Sequence, residues 1–272
     1  GYDVVGRQRD GIEWISYVPS SRRSATPVLL QHGMWHGAWC WEPWQAALAE
    51  AGLESHAISL PGHAGSPEQR SVRWCTMDYY LGFLVDAMAQ LPRRPVLIGH
   101  SMGGALIQWY FKKVADDLPA AVLVASWPSH STFASGLVDL LKLDPWGAVL
   151  SGLTLSATPH IRSPEQAAKR LISDDALMSP EALHAKLGPE SQLVLNQHNP
   201  PFWSPARSVQ TPLLWLAGDR DAAVNEPSQR RSAEHYGAEY LVVPDGSHNL
   251  MMERTEATTI ESIIDWLGPR ID

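Results

Sequence analysis

The sequence predicts an α/β protein whose mostly parallel central sheet is flanked by helices. Two observations carry this prediction. Short apolar runs alternate along the chain with segments of helical periodicity, and most of these runs are apolar at consecutive positions. Strands that are apolar on both faces, each followed by a helix, are typical of a parallel sheet covered on both sides. With 272 residues, 44% of them hydrophobic, the chain is long enough to bury such a sheet.

The predicted elements follow in order. Strands are expected within 13–18, 27–33, 55–66, 95–101, 120–126, 212–219 and 239–248. Helices are expected within 42–52, 77–91, 103–115, 227–236 and 251–267. The first of these helices is expected to end at Gly52, since glycine commonly terminates helices, and the run at 55–66 breaks at Pro61-Gly62.

The segment 128–205 interrupts this alternation. It contains short helical patterns and several prolines but no clear strand, and the strand pattern resumes after it. We therefore expect a helical insertion over one edge of the sheet, within a core formed by 1–127 and 206–272.

Composition narrows the class of partner. The net charge of -8 and the pI of about 5.7 disfavour nucleic acids and anionic membranes, which attract basic surfaces. No apolar run reaches the roughly 18 residues of a spanning helix, and the first residues lack the apolar segment of a signal peptide. Cys40 and Cys75 are expected to be unpaired, as in a reducing compartment, with one bridge between them as the alternative. These features predict a cytoplasmic protein, either a monomer or a homodimer.

A candidate nucleophile lies in the segment PVLIGHSMGGAL. Gly99, Ser101 and Gly103 match the pattern G-x-S-x-G, with a buried strand before it and a helix after it. This context is typical of a nucleophile elbow, in which a sharp turn leaves no room for side chains at the two glycines. The alternative is a tight strand–helix connection with a serine that caps the helix.

A serine needs a base to accept its proton, and the base needs an acid to orient it. His248 follows the last predicted strand, while Asp219 and Asp221 follow the preceding one. The order Ser, Asp, His along the chain is the one that this architecture produces. We favour Asp221 as the acid, because Asp219 directly follows Gly218 in a turn that its side chain would cap.

Together, the segments HGMWHGAWCW, GHSMGG, GDRDAAV and GSHNLMM resemble the α/β-hydrolase superfamily, and within it the small serine esterases grouped with plant methylesterases and hydroxynitrile lyases. The resemblance covers roughly 11–127 and 206–270. It implies an α/β-hydrolase fold in which 128–205 is the cap, and a catalytic triad of Ser101, Asp221 and His248. It also implies an oxyanion hole formed by the backbone N–H groups of Met34 and Met102.

Two departures narrow the chemistry within this superfamily. The elbow carries serine, whereas haloalkane dehalogenases and related epoxide hydrolases have aspartate there. Plant-type hydroxynitrile lyases have a lysine directly after the catalytic histidine, where this sequence has Asn249.

The tryptophan-rich segment HGMWHGAWCWEPW (32–44) is interpreted as the oxyanion loop. His32 and His36 could suggest a metal site, but they lie in a turn without an accompanying acidic or cysteine ligand set. We expect no metal and no organic cofactor. His36 and Gly37 are expected to brace the loop. Trp39, Trp41 and Trp44 are expected to pack the loop against the next helix. The candidate substrate-binding residues are Trp35, His100, Trp127, Trp146 and Met251.

The sequence therefore predicts a serine hydrolase that cleaves an ester, lactone or thioester of a small hydrophobic substrate. The leucine-rich stretch 131–155 in the cap suggests an apolar pocket. Three alternatives remain open on the same fold: a cofactor-independent oxygenase, a carbon–carbon bond hydrolase, and a ligand-sensing receptor.

Overall fold

An eight-stranded sheet forms the centre of the molecule in the computed structural model, which describes the backbone of residues 1–272 and all side chains except those of residues 135 and 137. Its strands are β1 (Tyr2–Arg9), β2 (Ile12–Pro19), β3 (Val28–Gln31), β4 (Ser55–Ile58), β5 (Val96–His100), β6 (Ala121–Val124), β7 (Leu213–Gly218) and β8 (Glu239–Val243). They lie in the order β1-β2-β4-β3-β5-β6-β7-β8. Only β1–β2 and β2–β4 pair antiparallel, while the other five pairs are parallel.

Ten α-helices connect and cover these strands. They are α1 (Glu42–Glu50), α2 (Met77–Ala89), α3 (Met102–Lys113), α4 (Thr132–Leu143), α5 (Pro145–Thr154), α6 (Pro164–Leu171), α7 (Pro180–Lys186), α8 (Gln192–Gln197), α9 (Glu226–Tyr236) and α10 (Glu256–Leu267). The predicted α/β class with a mostly parallel sheet is confirmed. The closing helix begins at Glu256 and not at 251, because a short 3₁₀ turn, Leu250–Met252, precedes it.

Strand β1 was not predicted. Six of its eight residues are exposed, and it pairs with β2 alone at the edge of the sheet. An edge strand with so little buried surface has no apolar run, so the hydrophobic pattern could not reveal it.

The central strands explain why the apolar runs were so clear. Every residue of β3, β5, β6 and β7 is buried. Five tryptophans are also almost completely buried against the sheet and its helices: Trp14, Trp41, Trp44, Trp109 and Trp215. Burial of side chains of this size contributes strongly to the stability of the core.

The segment 128–205 carries helices α4 to α8. It leaves the carboxyl end of β6 and returns to β7, and these two strands are direct neighbours in the sheet. Side chains of the insertion, among them Phe133 and Leu140, line a cavity together with Ser101 and His248, which follow β5 and β8. The insertion therefore covers the carboxyl ends of the strands. In its described backbone the only β-type pairing is an isolated bridge between Ser156 and Ser191.

A buried ion pair fastens the insertion to the core. Glu190 accepts from His63 Nε2 at 2.8 Å and from the Tyr80 hydroxyl at 2.8 Å. The side chains of His63 and Glu190 are both completely buried. Because His63 Nδ1 also lies 3.1 Å from the carbonyl oxygen of Pro61, both ring nitrogens face acceptors, an arrangement that favours the imidazolium form.

Cys40 and Cys75 are buried free thiols. Along the described chain, no helix is both long enough and apolar enough to cross a membrane.

Candidate active site

Ser101 lies in the sharp turn between β5 and α3. Its φ of 54° and ψ of -115° place it in a strained conformation that L-residues seldom adopt. A Cβ atom at Gly99 would lie 2.5 Å from the Gly103 carbonyl oxygen, and one at Gly103 would lie 2.2 Å from the carbonyl oxygen of Gln31. The two glycines thus allow the close backbone packing that holds the serine at the tip of the turn.

His248 joins Ser101 to an acid. The Ser101 hydroxyl lies 2.9 Å from His248 Nε2, and His248 Nδ1 lies 2.8 Å from Asp221 Oδ2. With the carboxylate accepting from Nδ1–H, Nε2 is left free to accept the serine proton. The structure thus brings Asp221, and not Asp219, to His248. Asp219 is exposed.

The Asp221 carboxylate is held on both oxygens. Oδ1 accepts from the backbone N–H groups of Ala223 at 2.8 Å and Val224 at 2.9 Å. Oδ2 accepts from Gln229 Nε2 at 3.1 Å, in addition to His248. Gln229 is fixed in turn by Trp215 Nε1–H, which donates to its Oε1 at 3.0 Å. Sequence reasoning missed Gln229, because a lone glutamine on a helix carries no motif.

The predicted oxyanion donors lie beside the serine. Met102 is the first residue of α3, where a backbone N–H has no partner within the helix. The backbone of Gly33 comes so close to the elbow that a Cβ atom there would lie 2.9 Å from Ser101 Cβ. Among the described residues, the N–H groups of Met34 and Met102 have no hydrogen-bond acceptor. Two free amides therefore flank the serine.

His32 and His36 hold the backbone of this loop. His32 Nδ1–H donates to the Gly33 carbonyl at 2.7 Å, and Nε2 accepts from Leu60 N–H at 3.0 Å. A trans peptide directs its C=O and N–H to opposite sides. Fixing the Gly33 carbonyl therefore also fixes the direction of the Met34 N–H.

His36 holds the next peptide in the same way. Its Nδ1–H donates to the Met34 carbonyl at 2.6 Å, and Nε2 accepts from Asn249 Nδ2 at 2.9 Å. Burial lowers the pKa of His36 to about 4, and burial also lowers that of His32, so both rings are neutral at pH 7. All four ring nitrogens are engaged in hydrogen bonds within the loop and its neighbours. Within the described part of the chain, no cluster of three or more His, Cys, Asp or Glu residues could hold a metal ion.

A cavity with an accessible volume of about 90 Å³ opens on Ser101 and His248. Its wall is mostly apolar. The core contributes Met34, Trp35, Trp127, Ala223, Val224 and Asn225, and the cap contributes Pro128, Thr132, Phe133, Gly136, Leu140, His160, Arg170 and Leu195. The leucine-rich stretch 131–155 thus supplies part of the wall, although residues 135 and 137 within it lie outside the described side chains.

Of the five predicted substrate-binding residues, Trp35 and Trp127 line this cavity. Trp35 has a φ of 64°, and its Nε1–H donates to the carbonyl of Ala157 in the cap at 3.1 Å. The loop and the cap therefore meet at this side chain.

The other three predicted residues do not line the cavity, which corrects those predictions. His100 is completely buried; its ring packs 4.8 Å from the His248 ring, and its Nε2–H donates to the His248 carbonyl at 3.0 Å. Met251 is 1% exposed and packs into the core. Trp146 is 71% exposed, because α5 turns Gly147 and Ser151, not Trp146, toward the protein.

Comparison with known proteins matches residues 28–260 to the model of the alpha/beta hydrolase family. Esterase PIR7B of Oryza sativa subsp. japonica is 36% identical over 109 residues, which are 39% of this chain. The match spans only 40% of that relative's length. Pyrethroid hydrolase of Sphingobium wenxiniae is 23% identical over 237 residues, covering 81% of this chain and 80% of that protein.

A solved thermophilic esterase from Thermogutta terrifontis has the same fold. It superposes with a TM-score of 0.70 at 19% identity, over 99% of this chain and 100% of the esterase. The family match extends from β3 into α10 and so includes Ser101, Asp221, His248 and the segment 128–205. The chain therefore belongs to the alpha/beta hydrolase family.

Proposed function

We propose that this protein is a serine hydrolase that cleaves carboxylic esters of small hydrophobic substrates through an acyl-enzyme. One observation carries the proposal. Ser101, His248 and Asp221 form a continuous hydrogen-bonded chain, and its serine end opens into an apolar cavity. Lactones and thioesters share the same acyl-transfer chemistry and belong to the proposed substrate range.

In the first step, His248 Nε2 accepts the Ser101 proton as Oγ attacks the carbonyl carbon of the ester. The Met34 and Met102 amides stabilise the resulting oxyanion, and donors of this kind typically contribute about 100- to 1000-fold each to the rate. The negative charge of Asp221 stabilises the imidazolium that forms. His248 then gives its proton to the leaving alcohol, which leaves the acyl group on Ser101.

In the second step, His248 accepts a proton from a water molecule that attacks the acyl-enzyme. Collapse of the second tetrahedral intermediate returns the proton to Ser101 and releases the acid. The neutral loop histidines, His32 and His36, serve as positioning residues in both steps, because they hold the peptides on either side of the Met34 amide.

The relatives support this proposal by their names. Two proteins similar to this chain are called an esterase and a pyrethroid hydrolase. The elbow carries the serine that ester hydrolysis requires. At the position where plant-type hydroxynitrile lyases have a lysine, Asn249 donates a hydrogen bond from its amide to His36 in the oxyanion loop.

The test is a panel of p-nitrophenyl esters, methyl esters and lactones, together with an aryl fluorophosphonate that labels activated serines. We expect turnover of short esters and a single phosphonate adduct on Ser101, located by mass spectrometry of peptides. Ser101→Ala should abolish both while the circular dichroism spectrum stays unchanged. Ester turnover near the wild-type rate in Ser101→Ala would contradict the proposal.

The same assays separate the alternatives. Oxygen uptake, or cleavage of a diketone, without ester turnover would indicate an oxygenase or a carbon–carbon bond hydrolase. A single slow turnover, after which the product stays bound to the protein, would indicate a ligand-sensing receptor.

A further inference from the structure

Arg170, on the last turn of α6 in the cap, lines the same cavity as Ser101 and His248. Only 5% of this residue is exposed. Guanidinium groups are rarely buried to this extent unless a carboxylate or several acceptors compensate their charge. The partners of Arg170 therefore decide whether the structure already compensates it.

Compensation within the protein is incomplete. The closest carboxylate oxygen, Asp144 Oδ2, lies 4.0 Å from Arg170 Nη2. That oxygen instead accepts from Arg162 Nη1 at 2.6 Å, while Oδ1 accepts from Gly147 N–H at 2.9 Å. Arg170 Nη2 also makes a long contact of 3.4 Å with His160 Nδ1. Within the described structure, its buried Nε has no acceptor.

The cluster has an excess positive charge. Burial and then the charge of Arg170 lower the pKa of His160 to about 4, so His160 is neutral at pH 7. Burial lowers the pKa of Arg170 to about 10, and the side chain is still a cation at pH 7. Among the described side chains, Asp144 is the single carboxylate that forms an ion pair with both arginines, and the shorter distance assigns it to Arg162. None of the side chains found to line the cavity is acidic.

We propose that Arg170 is a specificity-determining residue that binds a carboxylate on the substrate, and this inference rests on the proposed ester hydrolysis at Ser101. The substrate class is then an ester or lactone with a small apolar body and one acidic group away from the scissile bond. The acid would accept hydrogen bonds from the guanidinium, whose planar donors match a carboxylate. Arg170 and Ser101 line one mostly apolar cavity. In surroundings of low polarity a charge interaction is stronger than in water.

The test uses two pairs of esters that differ only in the charged end. Methyl hydrogen glutarate and methyl pentanoate carry the acid or a methyl group on the acyl side. In the second pair, 4-acetoxybutanoate carries the acid and butyl acetate the methyl group at the end of the alcohol side. We expect wild-type kcat/KM to favour the acidic member of at least one pair by about 10- to 100-fold, the range for a hydrogen bond to a charged group.

Arg170→Met should reduce that ratio to about 1, and Arg170→Lys should keep part of it, because a lysine retains the charge but not the planar donors. Lys169→Met is the matched control, since Lys169 is the exposed neighbour of Arg170 on the same helix and does not line this cavity. It removes the same charge and should leave the ratio at its wild-type value. A purely structural role for Arg170 would lower the rates of both members of each pair together and leave the ratio unchanged.

The outcomes separate this inference from the proposed function. If Ser101 hydrolyses the neutral esters and neither acidic ester is favoured, the carboxylate site is wrong and the hydrolase stands. If no ester is hydrolysed, the proposed function fails, and calorimetric titration of glutarate into the Ser101→Ala protein decides the site. Binding that disappears when Arg170→Met is added supports the site. Absent binding, or binding that survives this change, overturns it.

Discussion

Asp221 is the residue on which the geometry of the site depends most visibly. Its carboxylate accepts two backbone N–H groups and the Gln229 amide, so its orientation toward His248 is fixed before any substrate binds. Asp219, two residues earlier, is exposed in the same loop. The two aspartates therefore offer a matched pair, with one side chain in the hydrogen-bonded chain and one outside it.

Asp221→Asn should lower kcat by about 10⁴-fold, because an amide at this position favours the imidazole tautomer that cannot accept the serine proton. Asp219→Asn should change kcat by no more than about threefold, as is usual for an exposed substitution. The measurement is turnover of a short aryl ester, with thermal unfolding to confirm that both variants fold. A large loss in Asp219→Asn together with a small one in Asp221→Asn would reverse the assignment.

Residues in the motif segments could be predicted, because strand order and chain direction place them at the same end of the sheet. Gln229 and Arg170 could not. Gln229 lies on α9 and reaches Asp221 only through its side chain, and Arg170 lies 69 positions after Ser101 in a segment without a motif. Their roles depend on which face of a helix turns inward, and short, mixed helices do not show this in their sequence.

At the scale of elements, the buried His63–Glu190 pair is one of the contacts that attach the cap to the core. His63 follows β4 in the core, and Glu190 precedes α8 in the cap. Burial alone would lower the pKa of His63, but the charge of Glu190 and the hydrogen bond to it outweigh burial and raise that pKa above its ordinary value. A raised pKa in the folded state means that protonation of His63 stabilises the fold.

The stabilisation from this pair is complete below the ordinary histidine pKa of about 6.5, and it is lost as the pH rises through the raised pKa of folded His63. Glu190→Gln should destabilise the protein by about 3 kcal/mol at pH 5.5, as is typical when a buried pair loses one partner. The difference from wild type should shrink at pH 8.5. Chemical denaturation at both pH values measures it.

Glu181→Gln is the control for this prediction, because Glu181 is an exposed carboxylate on α7 of the same cap. It should alter stability little and equally at both pH values. A Glu190→Gln deficit that stays constant or grows between pH 5.5 and pH 8.5 would show that His63 is not charged in the folded protein.

At the scale of the whole molecule, the cavity exists only because the cap covers the strand ends. The core supplies the serine and histidine, whereas the cap supplies Phe133, Leu140 and Leu195 opposite them. The hydrophobicity of the cap sequence did not reveal which of its residues face the cavity, since the cap also exposes apolar side chains such as Trp146 and Leu153. The position of the cap could be predicted from where the strands stop and resume, but its inward face could not.

The cap should therefore set the length of the acyl chain that the site accepts. An accessible volume of about 90 Å³ suits a short chain, so activity against p-nitrophenyl esters should fall as the chain lengthens. Phe133→Ala removes a ring from the wall and should raise the octanoate-to-acetate ratio of kcat/KM by about 10-fold, the scale of one or more methylenes in an apolar pocket. Trp146→Ala, which removes a larger but exposed ring outside the cavity wall, should leave the ratio unchanged. If both variants shift the chain-length profile equally, the change reflects general loosening of the cap, and Phe133 does not limit the chain.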